Sequence, residues 1–154
     1  MIYKFLLLFM IILSSCNESQ MKSMNQPDKP LKELKEKVIK TGDVQSYEEL
    51  STAYMDYSIG EFLPYALLMA NKYNYPRAYY DVYESLVLMQ SVGQGTIDSL
   101  DPKTLTMALE YLKLSSEKGL LLGKKILGQY YIDGKYLSKD TIKGNQLLRE
   151  SGEK

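Results

Sequence analysis

The chain of 154 residues contains no histidine, no tryptophan and a single cysteine, Cys16. Without imidazole it cannot assemble the Ser-His-Asp or Cys-His systems in which a base activates a nucleophile. Zinc sites built on imidazole are excluded for the same reason, and one cysteine is too few for a site built on thiolates. The remaining chemistry is that of carboxylate, tyrosine and lysine side chains, so we predict no catalytic residue, no metal site and no cofactor.

An excess of one charge is also lacking, because 19 basic side chains balance 19 acidic ones. No overall field attracts nucleic acid, and nucleic acid is therefore not an expected partner. The charges are nevertheless unevenly distributed. Residues 43–101 carry nine acids and two bases, whereas residues 102–154 carry ten bases and six acids. We expect an acidic middle and a basic end.

The sequence also lacks an apolar run long enough to span a membrane. A membrane-spanning helix needs roughly 20 apolar residues. The run from Phe5 to Leu13 is much shorter; it follows Lys4 and precedes two serines and Cys16. A charged start, a short apolar middle and small residues before a cleavage point are typical of a secretory signal. An uncleaved anchor or a chance cysteine is the alternative interpretation.

The ending Leu13-Ser14-Ser15-Cys16 resembles the bacterial lipoprotein box. The resemblance implies cleavage before Cys16 and acylation of its sulfur and its new amino group. We therefore expect a signal peptide at residues 1–15 and a flexible polar tether at residues 16–29. A single folded domain at residues 30–154 would follow.

Within this domain, apolar residues recur at spacings of three and four, and no useful stretch alternates with a period of two. Pro30 is suited to a helix start, and Gly42 to a helix stop. We predict an all-α fold. The first helix is expected between these two residues, and the others at Val44–Tyr57, Phe62–Tyr73, Pro76–Gln90, Thr104–Lys118, Leu121–Ile132 and Thr141–Glu150.

One spacing recurs along the helices. Gly119 is followed by Leu127 and Gly128 at +8 and +9 and by Tyr131 at +12. The same offsets from Gly42 give Leu50, Ser51 and Tyr54, and offsets of +4, +8 and +12 from Asn74 give Ala78, Val82 and Leu86. A fixed period of this kind indicates a repeat architecture.

The segment from Ala108 to Lys154 resembles the Sel1-like repeat family, whose α/α units are related to tetratricopeptide repeats. It carries the family's LG-x-x-Y pattern from Leu127 to Tyr131, a turn glycine at Gly134 and the closing SSEKG that ends at Gly119. The earlier units depart from the pattern, with Ser51 and Tyr83 at glycine positions. The resemblance implies a short α-solenoid of about three helix-turn-helix repeats preceded by one helix.

Five of the 14 tyrosines fall between Tyr73 and Tyr83. In the repeat register Ala78, Val82 and Leu86 point inward, and Tyr75 and Tyr83 are also expected to pack. The offsets +5, +6 and +10 are expected to point away, toward the inner curve of the solenoid. These offsets give our predicted partner-binding face, which comprises Tyr79, Tyr80 and Glu84, flanked by Glu48 on one side and Lys124 and Lys125 on the other.

Two hypotheses explain the tyrosine cluster. Tyrosines are favoured as interface anchors, because they bury a large area with little loss of entropy. The alternative is packing between repeats, with the hydroxyl groups reaching water.

Other polar pairs have simple structural explanations. Arg77 and Asp81, four residues apart, are expected to form a solvated helix pair. Asp98 and Asp101 are interpreted as capping and turn residues rather than a cation site. Three further acids, Glu48, Glu49 and Glu61, are taken as a solvated acidic face rather than an acid–base pair, and Gly93-Gln94-Gly95 lacks the strand and lysine of a phosphate loop.

Together these features predict a lipid-anchored, non-enzymatic protein-binding module in the envelope of a Gram-negative bacterium. Short Sel1-like lipoproteins resemble adaptors or inhibitors, and immunity to an exported toxin is one use that the resemblance implies. The partner would then be a toxin or an envelope component, with the membrane contacted through the N-terminal lipid. A scaffold component of an envelope complex is the second hypothesis, and a carboxylate-only enzyme acting on glycans is the third.

Overall fold

The computed structural model describes residues 23–55, 59–89 and 96–153. Within them the chain forms seven α-helices, two short 3₁₀ helices and no strand, so the all-α prediction is confirmed. The α-helices are α1 (Leu31–Thr41), α2 (Val44–Tyr54), α3 (Leu63–Asn71), α4 (Pro76–Met89), α5 (Pro102–Glu117), α6 (Leu121–Asp133) and α7 (Thr141–Glu150). The 3₁₀ helices are Ile59–Phe62 and Ile97–Ser99.

The stop after α1 shows why glycine is required there. Gly42 adopts a left-handed conformation with φ of 66°, and its N–H donates to the carbonyl of Val38. A Cβ at this position would lie 2.4 Å from the Tyr73 ring. The Tyr73 hydroxyl in turn donates to the carbonyl of Ile39 at 3.0 Å. The predicted glycine stop is confirmed, and it also permits a close tyrosine contact.

Aspartates begin three of the helices. Asp43 accepts from the Ser46 amide at the start of α2, and Asp140 accepts from the Lys143 amide at the start of α7. Asp101 caps α5 through two amides, and Pro102 occupies the first turn. Because this cap and proline suit a helix start, α5 begins two residues before the predicted Thr104. The predicted capping role of Asp101 is confirmed.

The predicted boundaries differ most around α2 and α3. Helix α2 ends at Tyr54 rather than Tyr57, which lies outside the described residues. Helix α3 begins at Leu63, after a 3₁₀ turn, and ends at Asn71. The chain then turns through Asn74, whose φ of 53° places it in the left-handed region that asparagine tolerates.

The helices pack mainly against their neighbours in sequence, and α4 lies between α3 and α5. The inward positions predicted for α4 are confirmed, since Ala78, Val82 and Leu86 are all buried. The core continues along the chain, and its fully buried large side chains include Leu34, Val38, Tyr47, Leu50, Met69, Val82 and Leu112.

The last helix pair crosses at two glycines. Both Gly128 of α6 and Gly144 of α7 are buried. A Cβ on Gly144 would lie 2.6 Å from Cγ1 of Ile132 and 2.8 Å from the carbonyl oxygen of Gly128. The backbones of α6 and α7 therefore approach so closely that a larger residue at position 144 would force them apart.

Candidate functional site

The structure corrects the predicted orientation of Tyr79 and Tyr80, because both are buried, with 5% and 7% of their surface exposed. The Tyr79 ring lies 6.2 Å from the Tyr111 ring of α5, and the Lys118 ammonium lies 5.7 Å above it. Tyr80 packs 5.8 Å from Tyr83. Since α4 is covered on more than one side, the part of the predicted face formed by these two tyrosines is closed, whereas Glu84 remains half-buried. These two tyrosines act in packing.

The tyrosine hydroxyls form hydrogen bonds within the protein. Tyr79 donates to Asn74 at 3.0 Å and Tyr80 to Glu84 at 3.3 Å. The packing hypothesis is therefore closer to the observed arrangement, although it expected the hydroxyls to reach water. Other tyrosine hydroxyls join distant segments, including Tyr75 to Glu48 at 2.8 Å and Tyr83 to Tyr130 at 2.7 Å.

Asp81 is the most important correction among the charged residues. It was expected in a solvated pair with Arg77, but its side chain is only 4% exposed. The Tyr47 hydroxyl donates to Oδ2 of Asp81 at 2.7 Å, and Nε of Arg77 donates to Oδ1 at 2.9 Å. This Tyr47–Asp81–Arg77 network links α2 to α4, and its central carboxylate is buried between them.

Burial dominates the titration behaviour of this region. It raises the pKa of Asp81 above its ordinary value, while the hydrogen bonds from Tyr47 and Arg77 oppose the rise. Burial also raises the pKa of Glu84, and the neighbouring charge of Asp81 adds to that rise. The pKa of Tyr47 is raised as well, first by burial and then by Asp81, so this hydroxyl stays protonated as a donor.

Next to this network lies a small apolar recess, which we call the α2–α4 crevice. Its volume is about 50 Å³. It is lined by Ser51, Tyr54, Met55, Phe62, Asp81, Glu84, Ser85 and Leu88.

The flanking charges of the predicted face are engaged locally. Lys124 of α6 forms an ion pair with Glu150 at 2.7 Å, and Lys125 pairs with Glu153. Glu48 accepts the Tyr75 hydrogen bond. These three charges thus belong to separate pairs, and the two lysines are balanced by acids at the end of the chain.

A larger depression, the C-terminal groove, lies between the last three helices and has a volume of about 360 Å³. Its floor includes Leu127, which is buried as the repeat register predicted. Lys143 is held over the Tyr131 ring, 4.5 Å from its centroid, with Nζ 3.0 Å from the hydroxyl. The groove is lined by Lys113, Ser116 and Glu117 of α5, Lys124, Leu127 and Tyr131 of α6, and Lys143, Gln146, Leu147 and Glu150 of α7.

Most of the groove residues were missed from the sequence. The basic composition of residues 102–154 was noted, but composition does not show that Lys113, Lys124 and Lys143 line one depression. Only Lys124 was among the predicted site residues. No spacing in the sequence indicates that these three lysines meet, because they come from three successive helices.

The remaining predicted sites fall into two groups. Cys16, the expected lipid attachment point, lies outside the described residues, as does Gly93-Gln94-Gly95. Asp98 accepts from Lys135 at 2.7 Å and from Tyr136 at 2.8 Å. Among the residues that the structure describes, no group of acids could hold a metal ion, and no helix is long and apolar enough to cross a membrane.

Comparison with known proteins gives no relative: no protein family, no curated protein and no solved structure matches the chain significantly.

Proposed function

We propose that this chain is a lipid-anchored envelope protein that acts, without catalysis, as a protein–protein binding module. The C-terminal groove is the observation that carries the proposal. It combines a buried leucine floor with charged walls, a composition suited to the side chains of a polypeptide segment. Cys16 supplies the anchor through the lipoprotein-like motif that precedes it.

The two walls of the groove differ in how far their charges are satisfied. On α6 and α7, Lys124 forms an ion pair with Glu150, and Lys143 forms a hydrogen bond with Tyr131. On α5 Lys113 and Glu117 line the groove without forming an ion pair with each other, although they are one helical turn apart. A bound segment that offers an acid and a base would pair with this wall while covering the leucine floor.

We further propose that the helix pairs α2–α3, α4–α5 and α6–α7 are Sel1-like repeats that build a short solenoid after α1. The glycine crossing of α6 and α7 supports this, since Gly128 is the glycine of the LG-x-x-Y pattern. In the corresponding place on α4 stands Tyr83, whose hydroxyl bonds to Tyr130 of α6. The tyrosine at that position thus forms a hydrogen bond with the next helix pair, α6–α7.

Within this class, we favour an inhibitor or immunity protein against an exported toxin, in the envelope of a Gram-negative bacterium. A small domain tethered near the membrane, with a groove of about 360 Å³ between its last three helices, suits the capture of one partner. A scaffold in an envelope assembly would use the same groove but would bind a resident component.

Site-specific photocrosslinking in the native envelope tests the proposal. A benzoylphenylalanine placed at Gln146, which lines the groove, should capture a discrete partner. The matched control is Asn145, an exposed position on the same helix that does not line the groove. Equal adducts at both positions, or none at Gln146, would contradict the proposed site. A captured toxin that the purified protein inhibits would establish immunity, and a resident envelope component would establish the scaffold.

A further inference from the structure

We propose that the α2–α4 crevice receives a lysine or arginine side chain from a basic segment of a partner protein. The inference rests on the proposed function in one respect only, which is that the ligand is a protein. It concerns a surface separate from the C-terminal groove and is tested without the natural partner.

The first argument is shape. The crevice walls include Met55, Phe62 and Leu88, and its volume is about 50 Å³. One water needs roughly 10–15 Å³ of such a space, so the crevice suits about four non-hydrogen atoms. The four methylene groups of a lysine side chain match that size. Met55 is 61% exposed, so its side chain is available to cover such a stem.

The second argument is a carboxylate without an ion pair. Glu84 lines the crevice, and within the described part of the chain it accepts a hydrogen bond from the Tyr80 hydroxyl at 3.3 Å. The nearby Arg77 pairs instead with Asp81, and among the described residues no basic side chain forms an ion pair with Glu84. Its half-buried carboxylate is influenced by the charge of Arg77 but has no ion pair among the described residues, so an incoming ammonium or guanidinium group would supply one at the apolar recess.

The third argument is the charge of the surroundings. Residues 43–101 carry nine acids and two bases. A basic segment would be attracted to this part of the chain before its side chain enters the crevice, because complementary charge raises the rate of encounter. An acidic segment would be repelled by Glu84.

The test uses the full chain in nonionic detergent, labelled with ¹³C at the methionine methyl groups. The probe is a hexalysine peptide blocked at both ends, and the comparison peptide carries six acetyl-lysines, which keep the stem and lose the charge. We expect hexalysine to shift the Met55 methyl resonance in a saturable manner and the acetylated peptide to leave it unchanged. Met55→Leu assigns the resonance.

Glu84→Gln preserves the shape of the side chain and removes its charge, and it should weaken hexalysine binding by roughly fivefold to tenfold. Glu110→Gln, an exposed glutamate on α5, makes the same change in net charge and should have little effect. The proposal is overturned if the Met55 resonance does not move, if the two variants weaken binding equally, or if Ca²⁺ at equal ionic strength produces the same shift. Each of these results leaves the C-terminal groove, and the crosslinking experiment on it, unaffected.

Discussion

The hydrogen bond from Tyr47 to the buried carboxylate of Asp81 leads to our strongest prediction about stability. Tyr47→Phe removes one oxygen atom and keeps the ring, which packs 5.2 Å from Phe62 and 5.6 Å from Tyr75. Because the acceptor is buried and charged, the loss should be that of a charge-assisted hydrogen bond, about 1.5–3 kcal/mol. For a domain of this size, that corresponds to a fall in melting temperature of roughly 6–12 °C.

The assay is thermal and urea unfolding followed by far-ultraviolet circular dichroism. Tyr136→Phe is the matched control, since it deletes the same atom from an exposed hydrogen bond to Asp98 at 2.8 Å. As a surface change it should alter stability by less than about 0.5 kcal/mol. A double-mutant cycle with Asp81→Asn should show that the effects of Tyr47→Phe and Asp81→Asn are not additive.

The pH dependence of the Tyr47→Phe effect provides a second check. Losing the hydrogen bond should raise the pKa of Asp81 further, so the variant takes up its proton more readily. The difference from the unmodified protein should therefore shrink as the pH falls. If Tyr47→Phe unfolds within about 0.5 kcal/mol of the unmodified protein, the network is not the link between α2 and α4 that its geometry indicates.

Three further predictions concern other parts of the chain. The raised pKa of Glu84 means that the folded state binds its proton more tightly than the unfolded chain, so this group contributes stability at low pH that is lost as the pH rises through its folded pKa. The free energy of unfolding should therefore decline above about pH 4. Glu84→Gln should flatten this decline, whereas Glu110→Gln should not. Equal declines in these two variants would show that Glu84 does not cause it. Leu127→Ala should cost about 2–5 kcal/mol in urea unfolding, because Leu127 is only 4% exposed, and a loss well under 1 kcal/mol would show that it is not a core residue. Cys16→Ala should abolish the incorporation of labelled palmitate and release the protein from membranes; labelling that persists in this variant would disprove lipid attachment at Cys16.

Local features of the fold could be predicted from the sequence because they depend on neighbouring residues. Helix α7 has the predicted bounds, Thr141–Glu150, and α4 begins at the predicted Pro76. Helical spacing also placed Ala78 and Val82 in the core. Such signals lie within one or two turns, where a cap, a proline or an apolar stripe acts directly on the backbone.

The environment of Tyr79, Tyr80 and Asp81 could not be predicted in the same way. Periodicity identifies one buried face of a helix, but it does not reveal how many neighbours cover the other faces. Tyr79 is covered by residues of α5, and the partner of Asp81 lies 34 positions earlier in the chain. The same limit applies to the C-terminal groove, whose lysines come from three helices. Their proximity is a property of the packed helices, which no local pattern encodes.

The burial of the tyrosines gives the protein an optical reporter of its own unfolding. The chain has no tryptophan to mask them, and burial raises the pKa of Tyr75 to about 12 and also raises the pKa values of Tyr47 and Tyr83. In the unfolded chain these phenols ionise near pH 10. An alkaline titration followed at the absorbance of the phenolate should therefore show that these three tyrosines ionise only when the helices separate.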